Sequence, residues 1–173
     1  GHAVVTPTLT GLGERSHLAR PEIGLDVHVT DVVNVLKYEE LRDIVLVGDS
    51  SSGAVVTGVA DRAPEHIALV LYLDAFVPED GQSVFDLVAP DRHEALEALA
   101  KSEGSGWLVP RFAPPPWETI VRDMWGVADA ADARRFSCRD AAEFDLPLAS
   151  ERPQPIQRRV VSRFPVVEPR NPE

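Results

Sequence analysis

Cysteine is nearly absent: Cys138 is the only one in 173 residues. That excludes an intrachain disulfide and a cysteine-based metal cluster, and it fits a reducing compartment. Long apolar runs are missing as well; none approaches the roughly 20 residues of a membrane-spanning helix. The first residues lack the basic-then-apolar pattern of a secretory signal, so a cytoplasmic location is the expectation. Positive charge is scarce: 17 Lys and Arg stand against 28 Asp and Glu, a net charge of −11. Such a balance argues against nucleic acid and against anionic membrane surfaces as partners. Histidine does not occur after His93, which bears on the chemistry below. The chain opens Gly1-His2 with no initiator Met, as a partial chain would.

What is present suits a soluble domain with a real core: 44% of residues are hydrophobic and 26% charged. Ala3-Val4-Val5-Thr6 reads as a short strand stopped by Pro7, and Gly11 and Gly13 make the next stretch a loop. Leu25, Val29, Val32, Val33 and Leu36 then fall on one stripe of a helix, with Asp26 as a candidate N-cap. Ile44 to Val47 reads as a buried strand, Ala54 to Arg62 as a helix closed by Pro64, and Ile67 to Leu73 as a third strand. Strands alternating with helices over short connections imply parallel strands joined by right-handed crossovers. The fold class is therefore α/β, with the sheet-forming core in residues 1–78.

After Pro78 the pattern changes. Asp91 to Lys101 reads as a helix with Leu96 and Leu99 inward, and Pro110 to Pro116 holds four prolines in seven residues. Shorter helical patterns follow at Glu118 to Met124 and Ala128 to Phe136, which makes 79–150 mainly helical. Residues 151–173 hold five prolines and five arginines and read as an irregular tail.

In a parallel sheet, ligands bind beyond the carboxyl ends of the strands. Three features fall there: the loop Thr10-Gly11-Leu12-Gly13, Ser50, and Asp74. Ser50 sits between an apolar strand and a helix, in Val47-Gly48-Asp49-Ser50-Ser51-Ser52-Gly53. A sharp turn there lifts the hydroxyl above the sheet edge, the arrangement of a nucleophile elbow. A serine alone is a weak nucleophile and needs a histidine to take its proton, which in turn needs an acid to orient it. Asp74 is placed to be that acid, and the Ser51 backbone N–H to be an oxyanion donor. The plainer readings are an ordinary tight turn at Ser50 and a cap or ion-pair role for Asp74. Among the histidines, His17 and His28 read as structural or pocket-lining, and His17 is placed to reach the site mouth through its loop. His66 reads as a surface residue, and His93 lies on the helix that could swing over the site. Trp107, Trp117 and Trp125 read as core of the helical region.

The segments Thr8-Leu9-Thr10-Gly11-Leu12-Gly13-Glu14-Arg15-Ser16-His17-Leu18, Leu25-Asp26-Val27-His28, Val47-Gly48-Asp49-Ser50 and Tyr72-Leu73-Asp74-Ala75-Phe76-Val77-Pro78 resemble, in order, those of bacterial α/β-hydrolases. That family is similar to the plant salicylate-type methylesterases and hydroxynitrile lyases. The resemblance covers about residues 1–90, and beyond them the chain looks like the family's helical cap. It implies a partial α/β-hydrolase core, a serine nucleophile, ester or related acyl substrates, and no cofactor or metal. It also points to Gly11 and His17 as lining the substrate site.

The chain departs from the family pattern in three ways. Family members carry Gly-His-Ser-Tyr-Gly-Gly at the elbow, so Asp49 and Ser52 stand where a histidine and a glycine are usual. The family's opening strands and His-Gly oxyanion loop would lie before Gly1. The histidine loop after the last strand has no counterpart here. The expectation is a serine esterase acting on a small ester by acyl transfer, with weak or no activity in these 173 residues alone. The alternatives are a hydroxynitrile-lyase-like enzyme and a non-catalytic hydrolase-like protein that binds a small molecule or a partner. A sheet with so few strands leaves an exposed edge, through which homo-oligomers could form.

Overall fold

A computed structural model describes residues 2–109 and 146–147. The chain divides into two compact units, one holding residues up to Asp31 together with those from Val88 to Glu151, the other containing Val32–Leu87. The readings at Glu118–Met124 and Ala128–Phe136, at Trp117, Trp125 and Cys138, and in the tail 151–173 fall outside the described residues.

The Val32–Leu87 unit is built on two parallel strands, β1 (Ile44–Asp49) and β2 (Ile67–Leu73), joined through helix α2 (Ser52–Arg62). Both strands are apolar runs rich in Val, Ile and Leu, the composition that favours a pleated, buried surface. Their register pairs Leu46 with Val70 and Gly48 with Tyr72 on one face, and Val47 with Leu71 and Asp49 with Leu73 on the other. Leu46 and Gly48 are buried, whereas Val45, Val47, Leu71 and Leu73 are exposed. The helix packs on the first face, and every residue from Gly53 to Ala60 is buried.

That contact is close because the sequence puts glycines where the elements meet. A Cβ on Gly48 would come within 2.6 Å of Val56 Cγ2. One polar group lies inside the interface. The Thr57 hydroxyl donates to the Gly53 carbonyl at 2.8 Å, so its oxygen accepts from Tyr72 Oη–H, also at 2.8 Å. A buried hydroxyl with both roles filled avoids the penalty of an unpaired polar atom. The helix ends at Ala63, and Pro64 starts a short 3-10 turn that leads into β2.

Three expectations are corrected here. Ala3–Thr6 is not a strand: the segment has no regular structure, and Val4 and Val5 are 80% and 55% exposed. A strand exists only through its ladder, and no described strand pairs with these residues, so high β-propensity has nothing to act on. His66 is not a surface residue. It is only 9% exposed, and its Nδ1–H donates to the Leu41 carbonyl at 2.6 Å. Leu41 is itself brought back by a bond from its N–H to the Leu36 carbonyl, 2.9 Å, at the end of helix α1 (Leu25–Tyr38). That helix runs along the expected stripe, with Val29, Val32 and Leu36 buried. Asp26 lies inside its first turn rather than capping it. The Gly24 carbonyl instead accepts the N–H groups of Val27 and His28, which makes Gly24 the capping residue before Leu25.

In the other unit, a 3-10 helix (Gly13–Leu18) follows the glycine loop, and helix α3 (Pro90–Glu103) occupies the expected Asp91–Lys101 region. Leu96 and Leu99 are half-buried there, and Ala100 is fully buried. The two-residue strands β3 (Leu108–Val109) and β4 (Leu146–Pro147) pair antiparallel. Among the described residues, no helix is long and apolar enough to cross a membrane.

Candidate active site

Ser50 is the first residue after β1, and its φ is +50°. A non-glycine residue in the left-handed region is uncommon and costs about 1–2 kcal/mol. The turn persists because the surrounding backbone holds it. The Ser50 N–H donates to the Leu73 carbonyl at 3.3 Å, and the Ser50 carbonyl accepts from Phe76 N–H at 2.9 Å and Gly53 N–H at 3.2 Å. The end of β2 thus clasps the turn at the end of β1. Gly53 makes the clasp possible, because a Cβ there would collide with the Phe76 carbonyl oxygen.

Ser51 follows in right-handed helical geometry, φ −63° and ψ −23°, as the residue before α2. Its N–H belongs to the group of helix-start donors that have no partner within the helix. Asp74, the first residue after β2, is also left-handed, with φ +43°. Aspartate tolerates that region better than most residues. Ser50 and Asp74 are both exposed, at the carboxyl ends of neighbouring parallel strands.

The structure therefore brings Ser50, Ser51 and Asp74 to one sheet edge. Gly11 and His17 belong to the other compact unit. With Ala3–Thr6 unstructured, their loop does not leave a strand end as the sequence pattern suggested. Gly11 is buried at φ +88°, and a Cβ there would lie 3.3 Å from Ala19 Cα. His17 is exposed within the 3-10 helix.

A polar network shapes the same loop. Asp31 accepts from Thr10 N–H at 2.6 Å and from the Thr10 hydroxyl at 3.0 Å, with Arg15 Nη1 at 3.5 Å. Arg15 also donates to the Thr8 carbonyl at 2.9 Å. His28 is buried and donates from Nε2 to the Thr10 carbonyl at 3.0 Å. Burial holds the His28 imidazole below its ordinary value, outweighing the opposite pull of the Thr10 carbonyl and Asp31. Sequence pattern marked His28 and the Thr10 loop but not Asp31, whose partners lie far back along the chain.

Departures at the elbow are accommodated locally. The Ser52 hydroxyl lies 2.7 Å from both the N and the O of Asp49, accepting from the N–H and donating to the carbonyl. A serine three residues after an aspartate is a recognisable short-range pattern, so this contact was open to sequence reading. No group of three or more His, Cys, Asp or Glu side chains that could hold a metal occurs among the described residues.

Comparison with solved structures bears on the fold. An extracellular α/β-hydrolase from a Paenibacillus species, described as sharing structural and functional homology with tobacco salicylic acid binding protein 2, superposes with a TM-score of 0.66 and 28% identity. The overlap takes in 85% of this chain and 57% of that one. The fold is a partial α/β-hydrolase. Among sequence relatives, this chain is 50% identical over 88 residues to a carbendazim hydrolyzing esterase of a Nocardioides strain, covering 51% of the chain and 36% of the esterase. It is 27% identical over 104 residues to a chloroplastic methylesterase of Arabidopsis thaliana, covering 60% of the chain and 30% of the methylesterase. The chain thus spans about a third of the length of these curated relatives. No family model matches it.

Proposed function

We propose that this chain carries the nucleophile of a serine esterase that acts on a small ester by acyl transfer. The observation that carries the reading is Ser50 at φ +50° between a parallel strand and a buried helix. Residues held in a costly conformation by their surroundings cluster at active sites, and Ser50 adds to this its place at the strand-to-helix turn. The esterase and methylesterase relatives support the same reaction class.

In this mechanism the Ser50 hydroxyl attacks the ester carbonyl carbon while a histidine takes its proton. The carbonyl oxygen becomes an oxyanion, held by the Ser51 N–H and favoured by the positive end of the α2 dipole. Collapse expels the alcohol, which takes the proton back from the histidine. Water then enters by the same route and releases the acid. Asp74 orients the histidine and stabilises its charged form. The sequence holds no histidine after His93, so the base is not assigned to a residue of this chain.

A fluorophosphonate probe tests the reading, because it reacts with an activated serine before turnover is needed. The expected result is one labelled site at Ser50, lost in Ser50→Ala, with slow labelling because no base is assigned within this chain. An unlabelled Ser50 would favour the non-catalytic, ligand-binding reading. An activated aryl ester and carbendazim are the substrates to follow alongside, the second because the Nocardioides relative is named for it.

A further inference from the structure

We infer that Ser52 is a positioning residue that sets the orientation of the peptide leading into Ser50, a task its hydroxyl performs and a glycine at that position would not. This inference rests on the reading of Ser50 as nucleophile and deepens it. The argument begins with which way the backbone groups point. Ser50 faces β2, since its N–H donates to Leu73 and its carbonyl accepts from Phe76. Backbone groups alternate sides along a strand. The Asp49 N–H and carbonyl therefore point away from β2, toward the far edge of β1, where no described strand pairs with them.

Ser52 Oγ satisfies both of those edge groups at once, at 2.7 Å each. One side chain thereby serves both backbone groups of the residue before the nucleophile. The consequence reaches Ser50 through a single peptide plane. The carbonyl of the Asp49–Ser50 peptide is held by the Ser52 hydroxyl, and its N–H by the Leu73 carbonyl. With both ends of that plane held, it cannot rotate freely. On the other side of the Ser50 Cα, the carbonyl is held by Phe76 and Gly53. The φ and ψ of Ser50 together set the angle between these two anchored planes. The left-handed value of +50° follows from restraints on both sides, and Ser52 supplies one of them from inside the turn.

The family pattern places glycine at this position, and close packing is the usual reason for it. Here Ser52 is half-buried and its hydroxyl turns back onto the strand rather than into the helix contact. The close approach falls instead on Gly48 and Gly53, where an added Cβ would meet Val56 and Phe76. The steric demand and the hydrogen-bonding demand are thus divided between different residues.

The test compares wild type, Ser52→Ala, Ser52→Gly and Ser52→Thr in the full 173-residue chain. Two readouts are taken: the rate of fluorophosphonate labelling at Ser50, and backbone amide exchange at Asp49 by NMR. Loss of two hydrogen bonds predicts about tenfold slower labelling in the Ala and Gly variants. Thr keeps the hydroxyl and restores the rate. Faster Asp49 exchange accompanies the loss. Wild-type labelling rates in Ser52→Gly would overturn the inference, as would failure of Thr to rescue a well-folded Ala variant. If wild type itself is not labelled, the esterase reading falls. The exchange measurement then decides the clamp alone: faster exchange in Ser52→Ala supports it, and unchanged exchange overturns it.

Discussion

The Phe76 N–H donates to the Ser50 carbonyl at 2.9 Å, tying the turn after β1 to the segment that leaves β2. Gly53 sits against the same point, with an added Cβ meeting the Phe76 carbonyl and lying 2.9 Å from Ala75 Cβ. The turn at Ser50 is therefore a product of two strand ends and one helix start, with no slack between them.

Gly53→Ala is expected to force these segments apart. The clash is with backbone, which cannot swing aside as a side chain can. A loss of about 1–3 kcal/mol in stability follows from overpacking of this kind. Denaturant unfolding measures it, and Ser50 labelling should fall in parallel. A variant as stable and as reactive as wild type would show that the clasp is loose.

Replacing Ser50 separates conformational cost from chemistry. Ser50→Ala keeps a Cβ in the left-handed region, whereas Ser50→Gly removes it. Glycine should be the more stable of the two by about 1 kcal/mol, although glycine destabilises most other positions. Neither should react with the probe. Equal melting temperatures for the pair would mean that the turn relaxes once the hydroxyl is gone.

Asp31→Ala should leave the Thr10 N–H, the Thr10 hydroxyl and Arg15 without their shared acceptor. Part-buried donors left unpaired cost about 1–3 kcal/mol. Asp31→Asn keeps an acceptor oxygen and should lose less. Chemical denaturation of both variants gives the comparison, and the reverse order would contradict the assigned bonds.

The buried His28 should make the fold sensitive to mild acid. Its folded value lies below the ordinary 6.5, because burial disfavours the imidazolium. The unfolded chain therefore binds the proton first as pH falls. The contribution is complete above the unfolded value and is lost as pH drops from there through the folded value. Melting temperature measured from pH 7 to pH 5 should fall, and His28→Gln should flatten that part of the curve. An identical slope in the variant would assign the acid sensitivity elsewhere.

What the sequence determined by itself is local. The apolar runs at Ile44–Val47 and Ile67–Leu73, the stripe from Leu25 to Leu36 and the serine between strand and helix all depend on neighbouring residues, so periodicity and turn chemistry reveal them. They were enough to indicate parallel strands, the elbow and the hydrolase resemblance. Tertiary structure decided what depends on partners far along the chain. Ala3–Thr6 has strand composition but no described strand to pair with. His66 is buried because the Leu41 carbonyl returns to meet it. The φ of Ser50 is set by Leu73 and Phe76, and the Thr10 loop by Asp31. Hydrogen-bond partners of this kind carry no short-range signature, since the chain between them can take many lengths and compositions while delivering the same donor to the same acceptor.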